Sequence, residues 1–581
     1  MPAQLRLRAA ERPEDIAHRL VGGEDLTFGG WDSASNAAAR GLVERGVRAG
    51  DRVLLPASAA TWTAYAVAWA AVLKVGAVAV PIARSSGPEQ IGNACLASRA
   101  VCVVDGDSCL PEPVNHALAD LVAGQPTDEI HSGPAPDDDA EIINTSGTTG
   151  LPKGVVATHA NVLYAQIGSS AAAGARTALH ALQPGTTVGQ GLLVQPLCAR
   201  PHRTFTLPRF DPAELLAAVE QHRPTDVVLV PAMAITLVDA AVPGSRDVSS
   251  VQQVRTTSAP IHPATLEALA ELFPTARIRN VYSTTECWPR RLATDYDRAR
   301  PTSLGRPAAG SQVRIVDAAG AEVTAGTPGD VQLRSDAPQR RYDGEVGVSE
   351  VFLPGGWTRT GDVGLLDQDG YFQLLDRSPD LVNTGGLNVS TLEVEAAIMD
   401  WPGVVEAAVF GVRHPVLTEC VTAAIRCRPG VDTEALLAFL RERKGPAAPR
   451  RVAVVDDLPR NLLGKIDKKQ LRKDFEQDAA GRAFEPPATS TESRLAELWA
   501  VTLDVDRVSV TDDFLQLGGS SLTAMEVISE VTEQLARVVT VRDLLDTTSL
   551  RAFAERVDAA PAAEPDDPVA ALEPQPVATL D

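Results

Sequence analysis

Ile142-Ile143-Asn144-Thr145-Ser146-Gly147-Thr148-Thr149-Gly150-Leu151-Pro152-Lys153-Gly154 sets an apolar pair ahead of a run of hydroxyls, glycines and one lysine. Glycines let the backbone approach an anion closely and turn its N–H groups toward it. Gly147 and Gly150 supply that freedom, the hydroxyls of Thr145, Ser146, Thr148 and Thr149 add donors, and Lys153 adds a positive charge. The stretch reads as a phosphate-binding loop, which points to a nucleotide enzyme. It lacks the four-residue spacing between Gly and Gly-Lys-Ser/Thr that defines the Walker form. A polar surface turn is the plainer reading, but a turn requires neither this density of donors nor Lys153.

On either side of the loop, strand and helix patterns alternate. Val53-Leu54-Leu55 and Ala77-Val78-Ala79-Val80-Pro81 read as buried strands, and Asp226–Val230 leads into a helix near Ala234. Alternation to about residue 290 predicts α/β layers with largely parallel sheets. From about 305 to 375, short strands (312–316, 330–333, 370–374) divided by Gly-rich turns predict a small β-rich subdomain. A compact α+β unit follows, ending near Lys473. Residues 476–490, rich in Ala, Pro, Gly and Thr, read as a linker. Helices near 491–503, 521–535, 541–545 and 549–557 predict a four-helix bundle, and the Ala, Pro and acidic residues after it read as disordered.

A chain of 581 residues that is 44% apolar has ample material for several packed cores. A formal charge of -22 argues against nucleic acid or an anionic membrane as partner. Lys74, Gly76 and Pro81 interrupt the Ala/Val-rich stretch 64–82, so no membrane span is expected there. The N-terminal residues show no charged-then-apolar leader pattern. Seven scattered cysteines without CxxC spacing read as reduced thiols, and a cytoplasmic location is expected.

The phosphate loop resembles the signature of the adenylate-forming superfamily: acyl-CoA synthetases, luciferases and the adenylation domains of nonribosomal peptide synthetases. Four further motifs follow in the family's order. Tyr282-Ser283-Thr284-Thr285-Glu286 resembles the Tyr-Gly-x-Thr-Glu motif, with Ser283 in place of the usual Gly. The resemblance implies that Thr285 touches the α-phosphate, Glu286 holds Mg²⁺ and Tyr282 stacks on adenine. A lone carboxylate suits Mg²⁺, which takes hard oxygen ligands and bridges phosphates. Thr360-Gly361-Asp362 looks like the ribose clamp, with Asp362 accepting from sugar hydroxyls. Asp376-Arg377-Ser378-Pro379, followed by Gly385-Gly386 and Glu393-Val394-Glu395, resembles the crossover between large and small domains. Arg377 joins the nucleotide set. Pro379 stands at the hinge position, where members usually carry Lys or Asp; its ring fixes φ. Gly464-Lys465 resembles the catalytic-lysine motif, where an amine stabilises charge that grows in the transition state. Lys468 and Lys469 read as solvated helix charges.

A second signature, Asp513-Phe514-Leu515-Gln516-Leu517-Gly518-Gly519-Ser520-Ser521-Leu522, looks like the phosphopantetheine attachment site of carrier domains. The leucine directly after Ser521 puts that serine, not Ser520, in the modified position. A helix starting there would favour the phosphodiester anion.

The resemblance implies a large α/β adenylate-forming domain (1–376) with its β-rich subdomain, a small mobile α+β domain (377–475), a linker (476–490), an all-α four-helix carrier domain (491–557) and a disordered acidic tail (558–581). The implied activity is ATP-dependent conversion of a carboxylic acid to acyl-AMP. The acyl group then passes to 4'-phosphopantetheine on Ser521, as in a secondary-metabolite assembly line, with Mg²⁺ as metal. A phosphopantetheinyl transferase and downstream assembly-line enzymes are the implied partners. The chain departs from the family between Tyr164 and Arg209, where no acidic residue occurs. Amino-acid-activating relatives place an Asp there for the α-ammonium, so an ordinary α-amino acid is disfavoured. Val188, Val230, Pro231, Ser258, Thr284 and Cys287 are the expected pocket wall. His180 and His202, in the same stretch, read as structural. Free CoA or a separate carrier as acceptor, and a non-catalytic scaffold presenting its carrier, are the rival readings.

Overall fold

The computed structural model describes residues 1–104, 115–130, 133–145, 153–167, 174–200, 202–241, 244–289, 292–307, 310–344, 348–414, 417–461, 465–481, 484–503, 505, 507–515, 517, 519 and 521–562. The chain divides into two compact units. The first is Met1–Ser378 together with Arg460–Lys465; the second is Pro379–Pro459 together with the residues from Ile466 onward.

The first unit contains three sheets. The largest has nine strands. At its centre Ile16–Leu20, His202–Thr206, Arg176–His180, Asp226–Leu229, Gln253–Thr257 and Arg277–Tyr282 run parallel, each paired with the next. Asp25–Thr27 closes one edge antiparallel, and Leu292–Asp295 followed by Arg306–Pro307 closes the other. The seven-stranded sheet is ordered Arg341–Tyr342, Lys153–Thr158, Asp139–Thr145, Val78–Ala83, Arg52–Ala57, Cys102–Val104, Asn115–His116. The helices Phe28–Glu44 and Trp62–Val75 help bury one core around Trp31, Trp62 and Trp69. Local chemistry sets their limits. Thr27 caps the first by accepting from the Gly30 N–H, and Gly76, at φ +80°, ends the second in a left-handed cap. The third sheet is the β-rich subdomain: Ser311–Val316, Gly329–Ser335, Thr358–Leu366 and Phe372–Arg377, antiparallel throughout.

The second unit opens with a five-stranded sheet built on the long pair Val404–His414 and Thr418–Cys427. Helices Thr391–Met399 and Thr433–Lys444 contribute Val394, Ile398, Leu436 and Leu440 to its core. Helices Ser490–Leu503, Ser521–Leu535, Val541–Leu545 and Leu550–Ala559 then form a bundle around Trp499, Phe514 and Phe553. Burial of each large aromatic there contributes roughly 2–3 kcal/mol.

Two expected irregular segments are more ordered than their composition suggests. The linker does not begin at 476, because the helix Lys468–Gly481 runs through it. Leu471 and Phe475 anchor that helix against Phe410 and Leu458, and Glu476, Gln477, Ala479 and Ala480 favour its continuation. Glu485 is fastened to the bundle: its carbonyl accepts from Val510 N, its N–H donates to Ser509 Oγ, and its carboxylate pairs with Arg551. The tail likewise starts later than 558. The last helix of the bundle ends at Ala559, and Val538 N–H donates to the Pro561 carbonyl. Residues 563–581 lie outside the described residues.

Candidate active site

The phosphate loop spans a hairpin of the seven-stranded sheet. Asp139–Thr145 and Lys153–Thr158 pair antiparallel with Thr145 opposite Lys153, and Thr145 Oγ1 donates to the Lys153 carbonyl at 3.3 Å. Ser146, Gly147, Thr148, Thr149 and Gly150 lie outside the described residues. Beside this hairpin, Tyr342 pairs with Val155. The Lys153 ammonium stands 5.4 Å from the centre of the Tyr342 ring, and the Tyr342 hydroxyl donates to Glu286 Oε1 at 3.2 Å. One tyrosine therefore connects the lysine of the loop with the candidate metal carboxylate. Its phenol is raised above its ordinary range by burial and by Glu286.

Glu286 follows strand Arg277–Tyr282 in a short turn. Thr284 Oγ1 accepts from Cys287 N–H at 3.3 Å, and Thr187 Oγ1 donates to Thr285 Oγ1 at 2.9 Å. Ser283 is not among the described non-glycine residues with positive φ, so its side chain fits this turn without left-handed strain.

Tyr282 at the end of the same strand directs its hydroxyl to Asp362 Oδ2 at 2.5 Å, while its ring lies 5.1 Å from that of Phe372. Asp362 Oδ1 accepts from Arg377 Nε at 3.1 Å. The sheet places this pair, since Asp362 and Arg377 are partners on neighbouring strands. Asp362 is buried while Arg377 is half-exposed, so the carboxylate keeps lone pairs directed toward an approachable cation.

Arg460–Lys465 belongs to this first unit although its flanking residues belong to the second. Lys465 feels Arg377, Asp362 and Glu286. Burial and then Arg377 press its ammonium down to about 8, against the pull of the two carboxylates. Lys465, Tyr282, Asp362, Arg377, Glu286 and Lys153 are thus linked by short contacts or mutual fields. Ser521 lies in the other unit, as the first residue of helix Ser521–Leu535. Pro379 is the first residue of that unit.

The expected pocket residues gather at one edge of the nine-stranded sheet. Val230 and Pro231 follow Asp226–Leu229, Ser258 follows Gln253–Thr257, and Thr284 and Cys287 follow Arg277–Tyr282, at the C-terminal ends of three adjacent parallel strands. That edge is the usual binding face of such sheets. Val188 lies on helix Thr187–Val194, tied to the edge by the Thr187–Thr285 bond. Ser258 takes φ +82°, a conformation that costs a serine about 1–2 kcal/mol. His180 is fully buried, accepting from Leu182 N–H and bonded to Thr206; His202 contacts Cys198. Both are structural here. Sequence reasoning missed Tyr342 and Thr187; neither stands in a run whose spacing announces chemistry.

A family model for AMP-binding enzymes matches residues 5–342. The chain belongs to that family. The AMP-binding enzyme C-terminal domain matches residues 393–465 and the phosphopantetheine attachment site matches residues 493–557. This AMP-binding enzyme is 32% identical to a medium/long-chain-fatty-acid–CoA ligase of Mycobacterium tuberculosis, over 64% of the chain and 68% of the relative. It is 28% identical to a linear gramicidin synthase of Brevibacillus parabrevis, over 95% of the chain and 11% of that much longer protein. Among solved structures, ATP-bound MatB from Rhodopseudomonas palustris aligns with a TM-score of 0.73 at 27% identity, covering 82% of this chain and 99% of that one. The AMP-binding enzyme is an AMP-forming ligase fused to a carrier domain. It uses ATP and Mg²⁺ to activate an acid and carries 4'-phosphopantetheine to receive it. No described helix is long and apolar enough to cross a membrane.

The side chains present suit these groups. Among the described residues no cluster of three or more His, Cys, Asp or Glu could hold a metal by itself. A single carboxylate, Glu286, fits an ion that takes its remaining ligands from phosphates and water.

Proposed function

We propose that this enzyme loads an uncharged organic acid, not an ordinary α-amino acid, onto its own carrier. The observation that carries the reading is the joining of Lys153, Tyr342, Glu286, Lys465, Asp362, Arg377 and Tyr282 within one compact unit. Thr145, Lys153 and the loop between them hold the phosphates. Tyr282 and Asp362 hold the adenosine, with Arg377 orienting the Asp362 carboxylate. Mg²⁺ on Glu286 would neutralise the triphosphate. Thr285 contacts the α-phosphate, and Lys465 stabilises the charge that grows as the acid's carboxylate attacks it. Acyl-AMP and pyrophosphate result. The thiol carried on Ser521 then takes the acyl group and releases AMP. Fusion of the carrier raises the local thiol concentration to about the mM range.

The pocket edge supports the substrate class. Val188, Val230, Pro231, Ser258, Thr284 and Cys287 carry no charge, and residues 165–208 contain no carboxylate to pair an ammonium group. A cytoplasmic assembly line, with a phosphopantetheinyl transferase upstream and acyl-consuming enzymes downstream, is the setting this chemistry fits.

Pyrophosphate exchange across a broad panel of aryl, alkyl and amino acids tests the reading. Exchange with neutral acids above amino acids is expected, followed by a mass increase of one acyl group on the phosphopantetheinylated chain that Ser521→Ala abolishes. Exchange without that increase, with free CoA acylated instead, would identify the acceptor as CoA. Absence of exchange with every acid would favour a scaffold role.

A further inference from the structure

Glu141 is a buried carboxylate in the strand Asp139–Thr145, four residues before Thr145. Its side chain and that of Arg340 are both 1% exposed, 3.6 Å apart. Gln190 Nε2 donates to the second Glu141 oxygen at 2.8 Å. On the other side, Arg340 Nε donates to Asn161 Oδ1 at 2.9 Å, and Asn161 Nδ2 donates to the carbonyls of Pro338 (2.6 Å) and Trp288 (3.2 Å). A buried ion pair is seldom more stabilising than apolar residues of the same volume. Its geometric consequence is the more telling feature. Tyr342 lies two residues after Arg340, and Glu286 lies two residues before Trp288. The pair therefore anchors both partners of the Tyr342–Glu286 hydrogen bond to the strand that leads into the phosphate loop.

We propose that Glu141 and Arg340 are positioning residues that fix the Glu286 carboxylate, through Tyr342 and Asn161, relative to the strand Asp139–Thr145 for metal-bound nucleotide. This deepens the reading of Glu286 given above and rests on it. Neither residue touches nucleotide or metal; the effect passes through backbone that each holds.

The test is ATP binding to the full chain by equilibrium dialysis, with and without Mg²⁺, which needs no knowledge of the acid. Glu141→Gln/Arg340→Met removes both charges together, so that neither is left buried without its partner; Tyr342→Phe cuts the relay at its far end. Wild type should bind ATP more tightly with Mg²⁺. Each variant should lose about fivefold of that enhancement, the scale of one positioning hydrogen bond, with metal-free affinity unchanged in Glu141→Gln/Arg340→Met. Combining the variants should cost no more than either alone, because they act on one contact. Full enhancement in the double variant, equal losses with and without metal, or losses that multiply would each overturn the proposal while leaving the role of Glu286 intact. Wild-type affinity indifferent to Mg²⁺ would instead overturn the metal role of Glu286 and the proposal with it.

Discussion

At the scale of single residues, the proposed chemistry rests most on Lys465. Burial and Arg377 bring its ammonium to about 8, so in the nucleotide-free enzyme it is charged below that pH and neutral above it. Because kcat/KM reports groups of the free enzyme, kcat/KM for ATP in the exchange reaction should fall about tenfold per pH unit above 8. Lys465→Arg should flatten that limb, while Lys465→Ala should lower exchange about 10²–10³-fold at neutral pH. A limb that stays near 8 in the Arg variant would assign it to another group. Lys465, Asp362, Glu286 and Lys153 were legible in the sequence because each sits in a short motif. Glu141 and Tyr342 were not. Their importance comes from partners 199 and 56 residues away, Arg340 and Glu286, and no local spacing encodes those pairings.

Among elements, the turn at Gly305 tolerates little change. It leads into the edge strand Arg306–Pro307 of the large sheet at φ +83°, its carbonyl accepts from Phe372 N–H of the β-rich subdomain, and a Cβ there would approach the Ala293 carbonyl oxygen and Thr294 Cβ to 2.6 Å. Gly305→Ala should destabilise the first unit by about 3 kcal/mol, summing left-handed strain and overpacking against backbone; urea unfolding followed by tryptophan fluorescence would measure it. The junction at Pro379 behaves differently. Ser378 N–H still donates to the Gly361 carbonyl, and the next residue opens the second unit. Proline holds φ fixed where the proposed rotation of the second unit would need freedom, so Pro379→Gly should change the rate of thioester formation more than that of adenylate formation. Equal effects, with the two half-reactions measured separately, would place the pivot elsewhere. Most strands were readable from apolar runs bounded by Gly and Pro. The full length of helix Lys468–Gly481 was not, because Ala and Gly signal a linker by composition, whereas Leu471 and Phe475 decide the matter by packing.

Across the whole molecule, four histidines are held neutral. Burial presses His18, His159 and His180 down to about 3 and His202 to about 4. The unfolded chain takes up protons near 6.5 that the folded one refuses, so stability is complete above that pH and erodes below it. Between pH 6 and 5 the loss should be on the order of 1 kcal/mol for each histidine. The unfolding temperature of the first unit should fall across that interval, before ordinary carboxylates titrate. A flat profile would mean that these rings become charged without unfolding. The fold class was legible at this scale because alternating elements and two separate signatures agree. The assignment of Arg460–Lys465 to the first unit was not, since chain order places that segment with the second.

The continuity of helix Lys468–Gly481 bears on how cargo is delivered. Two residues separate Gly481 from Phe484, which stacks under Arg507 at 4.6 Å, and the three peptide steps between them span at most about 11 Å. A tether of that length limits how far the bundle can travel from the end of that helix. If the unit beginning at Pro379 rotates as the proposed mechanism requires, Ser521 travels with it, so that delivery becomes a question of aim, and inserting flexible residues at 482 should trade accuracy for range.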